Sequence, residues 1–376
     1  MVDIGDRGVV TISSFSNQFI PASTPDVGDR VIVIPMNDGS KFCIPCLQFS
    51  IGDWVWVGPE FKFSGFNWKL DANLQLIPLT TTKSWVQQTA GAEWAGRYGH
   101  SVVALSDGSI VLMGGWTGIP KNDTWRSTDK GVTWVQQSAS AGWTARYHHT
   151  SVALPDGSIV LMGGIGGGYK NDVWRSTDKG VTWVQQSASA GWTARYDHST
   201  VALPDGSIVL MGGYTQINYV SNDVWHSTDK GVNWHQHATG SPWWSARDSH
   251  DSVALPDGSI VLTGGRGGSD DTWISTDKGA TWTEQSATSG WGSLYGRMYG
   301  HKMVVRSDGA IILLGGRTTI DENRVWETTD NGINWSFLHT APWTGRFYFG
   351  CVLLSDDSIV LMGGSTSCLR DVWRYS

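Results

Sequence analysis

Charge, cysteine and long apolar runs are all scarce in this sequence. Of its 376 residues only 16% are charged, and 27 Lys and Arg against 34 Asp and Glu leave a net charge of −7. Without a basic surplus, the chain lacks the electrostatic footprint of a DNA- or RNA-binding protein. Its apolar runs end in glycine well short of the roughly 20 residues that span a bilayer. We therefore expect neither a nucleic-acid partner nor a transmembrane span.

The four cysteines give no sign of a metal or redox centre. Cys43 and Cys46 form a lone C-x-x-C, which lacks the second ligand pair of a structural zinc site. Cys351 and Cys368 lie near the C-terminus, and the sequence leaves open whether either pair forms a disulfide. We expect no metal site and no cofactor.

Glycine and tryptophan are abundant instead, with 47 and 23 copies, and they recur at a regular spacing. Six segments about 50 residues apart begin with an arginine and continue into a short apolar strand, a period typical of propellers and solenoids. These segments begin at Arg97, Arg146, Arg195, Arg247, Arg297 and Arg346.

The order of signals within each repeat predicts four short antiparallel strands. Asp-Gly pairs such as Asp107-Gly108 follow the first strand, and we expect two-residue hairpin turns in which both residues tolerate positive φ. An Ile-Val-Leu-Met-Gly-Gly strand, a variable loop, a third strand with a tryptophan and a fourth strand follow. The sequence therefore predicts an all-β fold, a six-bladed β-propeller with four-stranded antiparallel blades.

The sequence also indicates how the ring closes. The last repeat stops after its third strand, at Ser376, whereas residues 84–89 match the fourth strands without a preceding repeat. We predict that this N-terminal strand completes the sixth blade, because closure removes the exposed edges of an open array. The chain would then consist of a small β domain, residues 1–80, and the propeller, residues 81–376.

The repeats resemble two families. The Gly114-Gly115 doublet and Asn122-Asp123-x-Trp125 resemble the kelch repeat. The segment Ser127-Thr-Asp129-Lys-Gly131-Val-Thr-Trp134 is similar to the Asp-box, or BNR, turn of sialidases, and it recurs in four more repeats. Both resemblances imply a propeller. Both families include enzymes and pure binding proteins, so neither resemblance implies an activity.

We call these five segments the Asp-box turns. Their aspartates are predicted to be structural, because Asp readily bonds to turn backbone and one carboxylate per turn is too few for calcium. They are Asp129, Asp178, Asp229, Asp277 and Asp330.

The predicted strand directions place the hairpins and Asp-box turns on one face and the variable loops on the other, where recognition usually resides. Trp, Tyr and Arg there would offer flat apolar surfaces and forked donors to a ligand. For Trp and Arg that follow the repeat, packing between blades is the alternative. The candidate binding residues are Trp116, Tyr169, Tyr214, Tyr219, Trp244, Arg266 and Arg317, which break the repeat, and Trp94, Trp143 and Trp192, which follow it.

A sialidase-like glycoside hydrolase is the enzymatic alternative. That resemblance implies an arginine cluster, a tyrosine nucleophile with an acidic partner and a proton donor. The non-repeating acids Glu93, Asp197, Asp248 and Glu322 are available, but the sequence shows no pairing among them. We assign no catalytic residue and favour a protein that is not an enzyme.

Residues 1–80 show strand patterns at 9–12, 30–34, 42–47 and 54–57, with a hairpin turn at 37–40. The segment is faintly similar to small β domains of phage tail and baseplate proteins. Eighty residues form a marginal core. We therefore expect this domain to dock on the propeller or to self-associate into a homo-oligomer.

These observations predict a recognition protein that binds a glycan or a surface receptor through its propeller. It would be displayed on a particle, such as a virion tail, or on a cell surface through residues 1–80. The location would be extracellular or on that surface. The start of the chain lacks a signal peptide, so either another route is used or a leader has been removed. An intracellular kelch-type scaffold is the third alternative. We expect the N-terminal domain on the Asp-box side, opposite the variable loops.

Overall fold

The computed structural model describes the chain from residue 83 to its C-terminus except for residues 218, 238–243, 269, 292–296 and 365–366, together with the backbone of seven earlier strands. The chain divides into two compact units, Met1–Lys83 and Ser84–Ser376. The part described consists of strands, turns and loops, and it offers no long apolar helix that could cross a membrane.

Two small sheets form the described part of the N-terminal unit. The first has four strands in sequence order with a parallel central pair, and the second has three. Three of the four predicted segments overlap these strands, whereas the predicted strand at 54–57 and the turn at 37–40 lie outside the described residues. The seven strands are Val2–Ile4, Val10–Ile12, Val31–Pro35, Lys41–Pro45, Phe61–Phe63, Phe66–Leu70 and Leu76–Leu79.

Six antiparallel sheets form the second unit, and they confirm the predicted six-bladed propeller. In each blade the first strand is innermost, because it contacts the first strands of both neighbouring blades. The second and third strands follow outward, and the fourth lies at the periphery. Blade three has one additional short strand, Arg195–Tyr196, paired with its second strand.

The blade strands have the following bounds, from inside to outside. Blades one to three contain Ser101–Ala104, Ile110–Trp116, Pro120–Ser127 and Val135–Ser138; Thr150–Ala153, Ile159–Met162, Val173–Ser176 and Val184–Ser187; and Ser199–Ala202, Ile208–Thr215, Tyr219–Ser227 and His235–Gln236. Blades four to six contain Asp251–Ala254, Ile260–Thr263, Thr272–Ser275 and Thr283–Ser286; Lys302–Val305, Ile311–Leu314, Arg324–Thr328 and Ser336–Thr340; and Gly350–Leu353, Ile359–Met362, Val372–Tyr375 and Trp85–Thr89.

The core is divided into six apolar clusters, one between each pair of neighbouring blades. Ile110, Val111, Leu112 and Met113 in the second strand of blade one are 0% exposed, because other blades cover both faces of the sheet. By contrast, Val135 in the fourth strand is 65% exposed. This difference explains the unbroken apolar run of the second strands and the mixed pattern of the fourth.

The hairpins between first and second strands differ from the prediction of a two-residue turn. In blades one to five only the glycine has positive φ, at 78° for Gly108, and in blade six Asp357 takes this conformation at 60°. The Leu105 amide donates to the Ser109 carbonyl around a three-residue loop. The Asp107 carboxylate accepts bonds from the Ser109 amide and hydroxyl at 3.0 and 2.6 Å. This side chain holds the longer loop, which ends in a left-handed glycine, as in a G1 bulge.

Each Asp-box turn is closed by its own side chains. The Asp129 carboxylate accepts bonds from the Ser127 hydroxyl and the Thr133 amide and hydroxyl, at 2.6–2.9 Å. Trp134 Nε1 donates to the Gly131 carbonyl at 3.2 Å. This geometry supports a structural role for the five aspartates, while the likeness to the Asp-box family remains one of sequence.

Ion pairs connect neighbouring blades on this face. Lys179 of the second Asp-box turn binds the hairpin carboxylate of Asp107 in blade one at 2.6 Å. The same pairing recurs for Lys130, Lys230 and Lys278. Hairpins and Asp-box turns therefore lie on the same face of the ring, as predicted. We call it the Asp-box face.

The predicted closure of the ring is confirmed. Trp85–Thr89 pairs antiparallel with Val372–Tyr375, the third strand of blade six. Trp85 lies opposite Tyr375, so the closing strand begins at the Asp-box end of its blade. Its outward position matches that of the other fourth strands.

A buried arginine fastens each of five blades. Arg97 is 0% exposed and forms a bidentate pair with Asp123 at 2.7 and 2.9 Å, and it also donates to the Gly114 and Ala95 carbonyls. Arg146, Arg195, Arg247 and Arg346 make equivalent pairs with Asp172, Asp223, Asp271 and Asp371.

Blade five breaks this series, and the interpretation of Arg297 as its sixth member is wrong. Arg297 is exposed and lies one residue out of register, and Met298 is buried in its place. Arg324 occupies the position of the aspartate and pairs with Glu322 at 2.7 Å. In blade five the arginine therefore takes the aspartate position, its acid lies two residues earlier, and a methionine fills the buried arginine position.

We expect deletion of residues 81–89 to abolish the cooperative unfolding of the propeller. Blade six would lose its fourth strand, and the edge of its third strand would be exposed. Thermal melting followed by circular dichroism measures the effect. An unchanged melting transition in the shortened protein would contradict the closure.

Arg97→Met should lower the free energy of unfolding by about 3–5 kcal/mol, because it leaves the Asp123 carboxylate buried without its partner. The matched control is the triple variant Arg97→Met/Lys121→Glu/Asp123→Arg, which copies blade five. Chemical denaturation should show that the triple variant recovers most of the loss. Equal losses in both proteins would show that blade five does not represent an alternative solution to the same packing problem.

Candidate functional site

The channel mouth opposite the Asp-box face is encircled by a closed ring of backbone hydrogen bonds. One residue per blade donates its amide to the carbonyl of the equivalent residue in the preceding blade, with N···O distances of 2.7–3.1 Å. We call these six residues the collar. They are Gly99, His148, Asp197, Ser249, Gly300 and Tyr348.

All six collar residues have left-handed backbone, with φ between 52° and 63°. Glycine adopts this conformation readily, whereas other residues are strained in it, at a cost on the order of 1 kcal/mol or more each. Two repeats use glycine and four do not. Non-glycine residues held in strained conformations cluster at functional sites, so the four collar side chains mark a candidate site.

A second ring, the rim, surrounds the collar. It contains the residue before each collar residue: Tyr98, Tyr147, Tyr196, Asp248, Tyr299 and Phe347. In blades one to five each rim residue forms a β-bridge with a residue of the variable loop. These loop partners are Trp116, Ile165, Tyr214, Arg266 and Arg317.

The rim has two unlike sides. In blades one to three it is aromatic: the Trp116 ring lies 5.0 Å from that of Tyr147, and Tyr196 contacts Tyr169 and Tyr214 at 5.0 and 5.2 Å. In blades four and five it carries Arg266 and Arg317, stacked over the rings of Tyr299 and Phe347 at 4.9 and 5.0 Å. We call these the aromatic side and the charged side.

Collar and rim side chains converge in one hydrogen-bonded group at the mouth, the mouth cluster. His148 Nδ1 lies 2.7 Å from Asp197 Oδ1. The Tyr348 hydroxyl lies 3.2 Å from Asp197 Oδ2 and accepts a bond from Arg266 Nη2 at 2.8 Å. The members are His148, Asp197, Asp248, Ser249, Arg266 and Tyr348.

Arg266 connects the two acids of this cluster. Its Nε donates to Asp248 Oδ1 at 2.9 Å, and its Nη2 lies 3.3 Å from Asp197 Oδ2. The Arg266 side chain is 47% exposed, whereas both carboxylates are 5% exposed. The guanidinium of Arg266 is therefore accessible to solvent, while the two carboxylates that hold it are buried.

The environment shifts the two acids in opposite directions. Burial pushes the pKa of Asp197 upward, but the charge and hydrogen bond of His148 and the charge of Arg266 more than offset it, so the pKa lies below its usual value. Burial dominates at Asp248, and its pKa is raised. Burial and the nearby Asp197 charge also raise the pKa of the Tyr348 phenol. Opposed shifts in neighbouring acids are typical of functional sites.

Five buried histidines lie directly after collar residues. Burial, assisted by Arg97 and Lys302, lowers the pKa of His100 to about 3, so its ring is neutral at pH 7. Across each blade interface a Cβ on the first glycine of the doublet would lie 2.6–2.9 Å from the ring of the following blade's His or Phe349. This close packing explains the glycine doublet and supports a packing role. The five are His100, His149, His198, His250 and His301.

Six of the ten predicted binding residues lie on the mouth side of the ring. Trp116, Tyr169 and Tyr214 belong to the aromatic side, and Tyr219 continues it, 6.1 Å from Tyr214 and 69% exposed. Arg266 lies in the mouth cluster. Arg317 pairs with Asp321 at 3.4 Å.

The other four predicted residues are corrected by the structure. They are at most 1% exposed and lie in the blade interfaces, where each meets the tryptophan of an Asp-box turn edge-on at 6.1 Å. An indole enclosed in this way does not reach a ligand at the surface. They are Trp94, Trp143, Trp192 and Trp244.

The four non-repeating acids also separate. Asp197 and Asp248 meet at Arg266. Glu93 accepts a bond from the Trp134 amide at 3.0 Å, next to an Asp-box turn, and Glu322 pairs with Arg324. Only the first two belong to the mouth.

The sequence prediction missed the collar residues His148, Ser249 and Tyr348. The sequence did contain a signal. One position of the repeat, between neighbours that are similar in most repeats, reads Gly, His, Asp, Ser, Gly and Tyr in successive blades. Within the described residues, no group of three or more His, Cys, Asp or Glu side chains is arranged to hold a metal ion, and Cys351 and Cys368 are free thiols.

Fold and repeat pattern define a kelch-type six-bladed β-propeller. The KLHDC2/KLHL20/DRC7 kelch-repeats domain family matches residues 63–265, more than half of the chain, and the chain belongs to this family. The solved structure of YjhT shares the fold, with a TM-score of 0.60 at 15% identity over 76% of this chain and 95% of that one. No curated protein matches the chain.

Neutralising the two acids should have different effects at pH 7. The ionised form of Asp197 is favoured by folding, so its contribution is present above the unfolded pKa and lost as pH falls through the lower folded pKa. Asp248 has the opposite effect. Because its pKa is raised in the folded protein, its ionisation lowers the free energy of unfolding as pH rises. We expect Asp197→Asn to lower the free energy of unfolding by about 1–3 kcal/mol and Asp248→Asn to leave it unchanged or raise it. Urea unfolding at pH 7 measures both, and a larger loss for Asp248→Asn would refute this reading.

Proposed function

We propose that this propeller recognises a carbohydrate at its channel mouth and does not hydrolyse it. The observation that carries the proposal is the two-sided mouth, in which a continuous row of aromatic rings lies beside a fixed polar cluster. Sugars have apolar C–H faces and polar hydroxyl edges. A mouth with one aromatic and one hydrogen-bonding side suits such a ligand.

The aromatic side has the character of a binding platform. Tyr98, Trp116, Tyr147, Tyr196 and Tyr214 are all partly exposed. Their rings contact one another edge-on or tilted, so they are held in place before a ligand arrives. Rigid aromatic side chains lose little entropy on binding, which favours recognition.

The alternative of a sialidase-like hydrolase lacks this support. It requires free arginines for a substrate carboxylate, yet the five repeated arginines are 0% exposed and each is paired with an aspartate. Arg266 and Arg317 also have acidic partners. We therefore favour binding over hydrolysis.

A protein receptor is the second candidate, and one observation favours it. The variable loops of blades one, three and five each carry a strongly exposed isoleucine: Ile119, Ile217 and Ile320, which are 59%, 73% and 59% exposed. Apolar surface beside a site suits a protein contact when it forms a patch, and these three side chains would supply it.

The display of this surface is also a proposal. Residues 1–80 would attach the propeller to a particle or a cell surface, or to further copies of the chain. The closing strand begins at the Asp-box end of blade six, so attachment from that side would leave the mouth free.

Tyr196→Ala and Tyr214→Ala should each weaken binding to the best ligand of a glycan array by about tenfold or more, because each removes a ring of the platform. Phe337→Ala is the matched control, since Phe337 is 51% exposed on an outermost strand. Isothermal titration calorimetry measures the affinities, and melting curves establish that the variants fold.

Asp129→Ala serves as a control on the opposite face. It should lower stability by roughly 1–3 kcal/mol through lost turn bonds and leave affinity unchanged. Binding to no glycan, or equal losses for the Tyr196 and Phe337 variants, would argue against carbohydrate recognition at the mouth. Capture of a defined receptor protein that depends on Ile217 would favour the second candidate.

A further inference from the structure

We propose that the mouth selects an uncharged sugar, and that Asp248 and Arg266 together bind two neighbouring hydroxyl groups of it. This inference rests on the proposed function and names its ligand class. The inference follows from which hydrogen-bonding atoms of Asp248 and Arg266 are already bonded within the protein and which remain for a ligand.

Asp248 and Arg266 are held as one rigid unit at the top of blade four. Each backbone amide donates to the other residue's carbonyl, at 3.0 and 2.8 Å. Their side chains are also joined, Arg266 Nε to Asp248 Oδ1, at 2.9 Å. The Arg266 guanidinium stacks over the Tyr299 ring at 4.9 Å. Its orientation is therefore fixed from three directions.

The bonds of this pair define what remains for a ligand. Arg266 Nη2 is used by Tyr348 and Ser249 at 2.8 and 3.1 Å. Asp248 Oδ1 accepts from Ser249 Oγ at 2.7 Å as well as from Arg266. Among the described residues, Arg266 Nη1 and Asp248 Oδ2 have no hydrogen-bond partner. The pair therefore retains one free donor edge and one free acceptor.

Charge then decides the ligand class. An anionic group at Arg266 Nη1 would also meet the carboxylate of Asp248, which the guanidinium already binds, and that of Asp197, 3.3 Å from Nη2. An ammonium group at Asp248 Oδ2 would meet the guanidinium. Like-charge contacts at hydrogen-bonding distance are unfavourable at the effective dielectric of a protein surface. A hydroxyl avoids both penalties, because it donates to the carboxylate and accepts from the guanidinium.

The aromatic side accommodates the rest of such a ring. Tyr196 precedes collar residue Asp197 in the neighbouring blade, and its ring contacts Tyr214 at 5.2 Å. A pyranose could place its C–H face on these rings while two hydroxyls on adjacent carbons reach Asp248 and Arg266. The site thus fits a neutral hexose unit better than a carboxylated, sulfated or amino sugar.

The test uses the full chain and a glycan array with three classes of probe: neutral oligosaccharides, carboxylated or sulfated ones, and ones with free amino groups. We expect binding to be confined to neutral glycans. For the best of these, an analogue with one of the two adjacent hydroxyls replaced by hydrogen should bind about tenfold or more weakly.

Two variants identify the residues. Asp248→Asn and Arg266→Lys should each reduce affinity for the neutral glycan about tenfold, because the first removes the charged acceptor and the second the planar donor edge. Arg175→Gln is the matched control, an arginine that binds the hairpin carboxylate of Asp156 at 2.8 Å on the Asp-box face, and it should change affinity less than about threefold. Melting curves exclude loss of fold.

The outcomes separate this inference from the function on which it rests. Tight binding of an acidic glycan, strengthened in Asp248→Asn, would overturn the inference and leave carbohydrate recognition standing. Equal effects of the Arg175 and Arg266 variants would also overturn it. If no class of glycan binds, the proposed function fails and the inference fails with it.

Discussion

The ring of six collar hydrogen bonds is the constraint on which the mouth depends. Each bond requires its residue to turn into the left-handed region, and all six must do so for the ring to close. Once closed, the ring fixes the distance of every collar Cα from the axis. Side chains from blades far apart in sequence, such as His148 and Tyr348, are thereby brought together: their rings lie 4.3 Å apart. The chemistry of the mouth is a consequence of backbone geometry.

Much of the fold was predictable, because six copies of a pattern reveal what each position must do. Strand order, the number of blades and the closing strand all follow from where the repeats begin and stop. One error arose because a repeat was aligned with the others by residue type and not by position. Arg297 has the right residue type but lies one position away from the buried site, which Met298 fills. Trp94 lies in a loop, yet its indole is enclosed between blades, and loop position does not reveal depth.

The site was only partly predictable for a related reason. Arg266 and Tyr214 stand out in sequence because they depart from the repeat, and departures on a repeating scaffold attract attention. His148 and Tyr348 follow a shared motif and differ only at its most variable position, so each looks unremarkable alone. Their meeting depends on blades two, three, four and six being placed around one axis. No local pattern contains that information.

The closing strand has a consequence for how the chain folds during synthesis. Trp85–Thr89 pairs with Val372–Tyr375, so the first propeller strand to leave the ribosome finds its partner only when the last has been made. Throughout synthesis this strand stays unpaired, and the blades made after it form a ring that is still open. Contacts between distant parts of a chain form slowly, and unpaired edges are exposed to aggregation meanwhile. Two of its five residues, Val86 and Gln87, are exposed, and the polar Gln87 and Gln88 suit a segment that must stay in solution unpaired until synthesis ends.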